Sequence, residues 1–286
     1  MNSMNIDNIL YKTADNSFEL SIRKAYGHTS MPSNHFHDNY EIYYLLSGER
    51  FYFIKDRTYR VEKGDLVFIN KKDLHKTTDT GIPDHERILI NFSKAFILSS
   101  DPVLYDTMLY AFHHNYNLVR FSAEKQQHVE GLLTTMLQEA AQAQHGYEVF
   151  LRTYLMQLLT YTTRHLEQNL AGAYQHPSPT HKRISEIVQY LNEHYMEDLS
   201  LPSVAERFFI STYHLARVFK ETTGFTFVEY LNSVRIREAQ RLLCESESKV
   251  MAIAEKVGFG SIAHFGRVFK EVTGTSPLHY RKISTL

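Results

Sequence analysis

The chain has 286 residues, a formal net charge of −1, 43% hydrophobic and 22% charged residues, the balance of an ordinary globular protein long enough for two domains. It contains no apolar run able to span a bilayer, and the opening MNSMNIDNIL lacks the basic and apolar regions of a signal peptide, so a cytoplasmic protein with no membrane partner is expected. The single cysteine, Cys244, excludes an internal disulfide and fits a reducing compartment.

Residues 18–93 carry alternating or aromatic-rich runs at 18–26, 40–46, 50–55, 65–70 and 87–92, with Gly48 and Gly64 at the joints. Many short strands separated by turn signals predict an antiparallel β-barrel or jelly roll. Within them stands His35-x-His37-x-x-x-Glu41, followed by Gly48, and farther on Gly64-Asp65 opens a strand predicted to end near His75. This order resembles the two motifs of the cupin superfamily, with Asn70 and Lys72 where the second motif has Pro and Gly.

The resemblance implies a cupin-like domain over residues 1–100 and draws together His35, His37, Glu41 and His75. Imidazole plus carboxylate suits a divalent transition metal. The same side chains equally serve as the polar lining of an effector pocket, or as structural hydrogen-bonding groups. No cofactor is assigned, a divalent metal in this domain being the alternative. If Glu41 points inward, the strand period of two sends Tyr43 and Leu45 inward as well, either as a pocket wall or as filling. The effector site is therefore expected at His35, His37, Glu41, Tyr43 and His75.

From residue 101 to 173 the period becomes helical. Val129, Leu132, Leu133, Met136 and Leu137 recur on one segment, and Val149, Phe150, Tyr154, Leu155, Leu158 and Leu159 on the next. Such stripes cover a core. Residues 174–182, YQHPSPTHK, read as an interdomain linker.

The C-terminal third is organised by a repeat: RVFKETTG from Arg217 recurs as RVFKEVTG from Arg267. Repetition at a fixed offset marks a duplicated supersecondary unit. Upstream, Val204-Ala-Glu-Arg-Phe-Phe-Ile-Ser matches Ile253-Ala-Glu-Lys-Val-Gly-Phe-Gly-Ser. Each copy predicts a short helix, a tight turn and a second helix capped by Ser211 or Ser261, which is a helix-turn-helix. The second turn has Gly258; the first has Phe209, a bulky residue where positive φ is wanted, which predicts strain there. Between the copies, residues 227–243 contain no Gly or Pro and place apolar residues on two sides, so they predict one helix covered on both.

Residues 183–286 thereby resemble the DNA-binding domain of the AraC/XylS family of bacterial transcription regulators, through the paired helix-turn-helices, Tyr230-Leu231, Arg235, Ala239, Val257-Gly258-Phe259, Phe265 and Pro277 with Tyr280-Arg281. A generic helical bundle would leave the duplication unexplained. The family commonly pairs two subunits through helices that follow the cupin, and that resemblance makes residues 101–173 the candidate dimer surface as well. The resemblance places groove-facing positions at Tyr213, Ala216 and Arg217 in the first recognition helix and Ile262, Ala263, His264 and Arg267 in the second, with Lys220 and Lys270 alongside. Arginine can read guanine bidentately, whereas its blander role is phosphate contact. Residues 180–286 carry a net charge of only +2, so the inference to DNA rests on the motif and not on charge.

The expected fold class is α+β: an N-terminal antiparallel β-barrel with helices, and a C-terminal all-α domain with two helix-turn-helix motifs joined by a long helix. The expected function is a sequence-specific transcription regulator whose cupin-like domain senses a small molecule, a sugar among the candidates. Expected partners are double-stranded operator DNA, the effector, RNA polymerase and a second copy in a homodimer. Two alternatives remain open: a metal-dependent cupin enzyme fused to a DNA-binding module, and a regulator whose cupin only dimerises.

Overall fold

A computed structural model describes residues 8–31, 36–97, 101–113, 117–169 and 174–284. The chain forms two compact units, one of residues 1–30, 36–54 and 59–175 and the other of residues 176–286 together with the short stretches 31–35 and 55–58.

In the first unit nine strands precede or separate the helices: β1 (Asn8–Lys12), β2 (Phe18–Ala25), β3 (Tyr40–Ser47), β4 (Glu49–Ile54), β5 (Arg57–Glu62), β6 (Leu66–Ile69), β7 (His75–Asp79), β8 (His85–Phe92) and β9 (Leu118–Val119). They make two sheets, one of six strands in the order β1-β2-β8-β3-β6-β9 and one of three in the order β5-β4-β7. The expected barrel is thus two sheets and not a closed cylinder. The chain changes sheet at Gly48, between β3 and β4. Its φ is +87°, and a Cβ there would lie 2.3 Å from the Asp84 carbonyl oxygen, so only glycine turns this corner.

Strand alternation divides the six-stranded sheet into two chemically different faces. Phe18 and Leu20 of β2, Ile42 and Tyr44 of β3, Leu66 and Phe68 of β6, and Ile88, Ile90 and Phe92 of β8 pack into a core with the helices α1 (Lys94–Ile97), α2 (Pro102–His113), α3 (Ala123–Gln142) and α4 (Tyr147–Gln168). The alternate residues Tyr43, Leu45, Val67 and Ile69 face the other way, packing with Tyr52 and Ile54 of β4 and Tyr59 and Val61 of β5. The helical stripes bury Val129, Leu133, Met136, Leu155, Leu158 and Leu159, but Val149 and Phe150 are exposed: they lie in the first turn of α4, ahead of its buried stripe.

Two further expectations are corrected. The strand opened by Asp65 does not reach His75; it ends at Ile69, and His75 opens β7. Residues 70–74 form a turn in which Lys72 is left-handed (φ +59°), at the position where the resembling motif has glycine. A bidentate ion pair occupies Asp65 instead, from Arg120 Nε and Nη2 at 2.8 and 2.7 Å. Second, the segment read as a linker to residue 182 is helical from Pro179, because proline at the first helical position starts a helix as readily as it stops one.

The second unit is α5 (Pro179–His194), α6 (Leu201–Arg207), α7 (Thr212–Thr223), α8 (Phe227–Glu245), α9 (Val250–Lys256), α10 (Ile262–Thr273) and α11 (Pro277–Ser284). The predicted long helix is α8, 19 residues and about 28 Å long at 1.5 Å per residue. Its start is fixed by a capping box in which Thr226 accepts from Glu229 N while Glu229 accepts from Thr226 N. Phe227, Tyr230, Leu231, Val234, Ile236, Ala239, Leu242 and Leu243 are all buried. The helix is covered by α5 and α7 toward one end and by α9, α10 and α11 toward the other.

Candidate DNA-reading helices and effector site

The two helix-turn-helix units repeat each other bond for bond. In the first, Ile210 N donates to Ala205 O at 3.0 Å and Phe209 N to Glu206 O at 3.0 Å; in the second, Phe259 N donates to Ala254 O at 2.9 Å and Gly258 N to Glu255 O at 3.0 Å. Both turns require a left-handed residue, which is Phe209 at φ +53° and Gly258 at φ +91°. The strain expected at Phe209 is therefore present in the backbone, and its side chain is 93% exposed, so no packing offsets it. Gly258 is held closely: a Cβ there would lie 2.8 Å from Tyr195 O and 3.0 Å from the Arg235 guanidinium.

Both recognition helices begin on a serine cap, Ser211 Oγ accepting from His214 N and Ser261 Oγ from His264 N. Both end at a left-handed glycine, Gly224 or Gly274. Helix α7 buries Leu215, Val218 and Phe219 and exposes Tyr213, Ala216, Arg217 and Lys220; α10 buries Phe265, Val268 and Phe269 and exposes Ile262, Ala263, His264, Arg267 and Lys270. Every residue expected to face a groove thus lies on the solvent side of its helix. Arg217 reaches Glu221 at 3.1 Å, an exposed i,i+4 pair that is weak enough to exchange for another acceptor.

On the inner face of the six-stranded sheet, Glu41 is 2% exposed and gathers three neighbours. His37 Nε2 lies 3.1 Å from Glu41 Oε2, Tyr52 Oη donates to Glu41 Oε1 at 2.7 Å, and His75 Nε2 is 3.9 Å from Glu41 Oε2. Each imidazole places Nδ1 on a backbone carbonyl, His37 on Asn39 at 2.8 Å and His75 on Asp73 at 2.7 Å, leaving Nε2 turned toward the carboxylate. Burial alone would raise Glu41, but the His37 hydrogen bond, the charges of both histidines and the Tyr52 hydroxyl hold it well below the usual carboxylate range. Burial disfavours charge on His37, and Glu41 and the Asn39 carbonyl outweigh it, so its pKa is raised.

His37, Glu41 and His75 offer one nitrogen or oxygen each within 4.8 Å of one another. That donor set and the carbonyl-bound Nδ1 atoms fit a divalent transition metal, for which these three would be ligands supplying Lewis acidity or structural support. His35 falls outside the described residues. Tyr43 and Leu45 point to the same interior, as the strand period requires.

A family model described as an AraC-like ligand binding domain matches residues 17–159, and one described as a helix-turn-helix domain matches residues 204–283. The chain belongs to the AraC family of transcription regulators. Similar proteins include the HTH-type transcriptional regulator YbfI of Bacillus subtilis, 30% identical over 239 residues that cover 81% of this chain and 80% of that one. The HTH-type transcriptional activator RhaS of Escherichia fergusonii is 26% identical over 249 residues, 87% of either chain. Among solved structures, the C-terminal domain of AraT from Geobacillus stearothermophilus is 33% identical and covers 38% of this chain and 91% of that one, with a TM-score of 0.37. The relatives of this AraC-family protein that cover most of its length, YbfI and RhaS among them, are named as transcription regulators, so the enzyme alternative is set aside. No helix among the described residues is long and apolar enough to cross a membrane.

Sequence reasoning missed several inward-facing groups of the AraC-family ligand-binding domain. Tyr52 is one. Arg23, Arg50, His85 and Arg87 are the others, brought from β2, β4 and β8 to the same interior as Tyr43. The available signal was parity: on β2 and β8 these residues alternate with Ile22, Ile88 and Ile90, which belong to the helical side.

Proposed function

We propose that this AraC-family regulator binds double-stranded operator DNA through α7 and α10, and that a small molecule held inside its N-terminal domain controls that binding. The observation that carries the DNA reading is the duplicated pair of capped helices, each with an exposed arginine face, joined by a helix buried on both sides. One rigid connector suits two successive major-groove segments, which lie roughly 34 Å apart along one face of the duplex. Arg217 and Arg267 are assigned to bases, and Lys220 and Lys270 to phosphates. Homodimerisation is assigned to the helical layer, where Val149 and Phe150 stay exposed beside a groove of about 500 Å³ lined by His128, Met156 and Tyr161. RNA polymerase is the partner through which a bound regulator of this kind would act.

The test is a selection from randomised duplexes at one fixed salt concentration, with wild type, Arg217→Ala and Arg267→Ala. Each substitution is expected to relax preference in a different block, about one helical turn apart, at about 1–3 kcal/mol per lost bidentate contact. Lys220→Ala and Lys270→Ala should weaken all sequences alike and reduce the salt slope. Loss of preference at the same bases in both arginine variants would refute the two-reader arrangement.

The effector reading is supported by a polar wall of His37, Glu41, Tyr43, Tyr52 and His75 set beside the apolar Leu45, Ile54, Val61, Val67 and Ile69, the usual make-up of a small-ligand site. A sugar, with hydroxyls to engage Glu41 and the histidines, suits this wall. Metal analysis of the purified chain decides whether the triad also holds an ion.

A further inference from the structure

The interior beyond Tyr43 gathers three arginines from three strands, Arg23, Arg50 and Arg87. Arg23 of β2 and Arg87 of β8 are directly opposite in the antiparallel ladder, so both point to the same face. Like charges directly opposite are destabilising. Arg50 of β4 joins them from the facing sheet, since it shares the parity of Tyr52 and Ile54, which pack against Tyr43 and Leu45.

Arg50 is 1% exposed. Its Nη2 donates to the carbonyl of Thr29, yet among the described residues Nε and Nη1 meet no hydrogen-bond partner. The same holds for Arg23 Nε, for the Tyr43 hydroxyl and for His85 Nδ1, the last two on residues that are 2% and 6% exposed. Leaving buried donors unmade costs about 1–3 kcal/mol each, more on a charged group. Arg87 lies over the Tyr43 ring at 5.8 Å.

The carboxylates nearby are committed elsewhere. Asp79, opposite Arg50 across β4 and β7, takes His28 Nδ1 at 2.7 Å and Gly81 N at 2.5 Å. Glu41 is held by His37 and Tyr52, and Glu19 by Lys12 at 2.9 Å. Burial and the three arginines push His85 down to about 4, so it is neutral near pH 7 and does not discharge the cluster by moving a proton. The site is also reachable: Arg23, Arg87, Leu89 and Asn91 face inward yet remain half-buried, because three strands cover the inner face of six only in part.

We propose that Arg23, Arg50 and Arg87, with the Tyr43 hydroxyl, bind the oxyanion group of a small effector, a phosphate monoester or a carboxylate. This rests on the reading of the sheet interior as the effector site and names the chemistry it takes. Guanidinium forks match both groups bidentately. The dianionic phosphate is the better match, because it offers more oxygens and more charge to several guanidinium forks than a carboxylate does. The body of the ligand extends along Tyr43 toward Glu41, whose carboxylate, with the nearby histidines and Tyr52, suits hydroxyl groups. A phosphorylated or acidic polyol meets both ends.

The test is calorimetric titration of the full chain with inorganic phosphate, with acetate and with neutral glycerol, each at the same ionic strength set with chloride. Saturable binding of phosphate or acetate, without binding of glycerol, is the expected result. Whichever oxyanion binds identifies the source of the headgroup. Arg87→Gln and Arg23→Gln, at half-buried positions that should leave folding intact, are expected to lower that affinity at least tenfold, and Arg50→Gln more. The proposal is overturned if neither oxyanion binds saturably, or if binding is unchanged in all three variants. A neutral compound that stabilises wild type but not Tyr43→Ala, while both oxyanions fail to bind, would overturn the anion assignment and leave the sensor reading standing. Oxyanion binding lost in the arginine variants, with no motif recovered from the duplex selection, would support this site and sink the DNA reading alone.

Discussion

Phe209 is a β-carbon-bearing residue in a left-handed turn with its ring in solvent, so the backbone strain of about 1 kcal/mol or more has no compensation in the folded unit. Phe209→Gly should therefore raise stability by roughly 0.5–1 kcal/mol after the extra unfolded-state freedom of glycine is deducted. Chemical denaturation of the two proteins measures it, and a fall in stability would show that the ring contributes more than its exposure suggests. His85 gives a second prediction at this scale. Its folded pKa of about 4 lies below the ordinary value near 6.5, so between these two pH values the unfolded chain takes up a proton that the folded chain refuses. Its effect is absent above about pH 6.5 and lowers stability as pH falls toward 4. His85→Gln should flatten that part of the stability profile. A wild-type profile matching the variant across this window would mean that His85 titrates normally.

Among the elements, α8 depends on one charged side chain. Arg235 donates from Nε to Tyr195 O and from Nη2 to Glu197 O, both at 2.8 Å, tying the middle of the connector to the segment between α5 and α6, against the turn at Gly258. Arg235→Met removes both donors and should cost roughly 2–4 kcal/mol, read by thermal unfolding. A cost below 0.5 kcal/mol would mean that water replaces the guanidinium. Much of this architecture was legible in advance where local chemistry decides structure: the serine caps, the terminal glycines and the unbroken apolar run of α8 each name their own conformation. The polar strand β7, His75-Lys-Thr-Thr-Asp, was not legible, because its inward face carries His75, Thr77 and Asp79 and shows no apolar alternation. Nor was the arginine cluster, whose members are far apart in sequence and meet only through the pairing of β2 with β8 and the facing of β4. The start of α5 was not legible, because the two prolines and polar residues of 174–182 suit a linker as well as the first helical turn after the Ser178 cap.

For the whole molecule, residues 176–286 make up all of the second unit except the short stretches 31–35 and 55–58, which predicts where the chain can be cut. A fragment of residues 176–286 keeps the Ser178 cap and all of α5, with Ile184, Ile187, Val188 and Leu191 in its core, and should fold and select the same DNA as the full chain. A fragment beginning at residue 183 loses the cap and the first turn. Losing a cap costs about 1 kcal/mol, so its Tm should fall by roughly 4–8 °C. Equal melting of the two fragments would show that the start of α5 contributes nothing outside the full chain.

Strand β3 carries two neighbouring tyrosines of opposite orientation. Tyr43 lies in the interior with the arginines, while Tyr44 points to the helical side and donates from Oη to Glu130 Oε1 of α3 at 2.7 Å. Only one peptide unit separates the proposed effector wall from a side chain bonded to the helical layer. A molecule that shifts the β3 backbone at Tyr43 would pull on α3 through the Tyr44–Glu130 bond. The shortest mechanical route from ligand to helix is thus a lever one residue long, built from nothing more than the alternation of a β-strand.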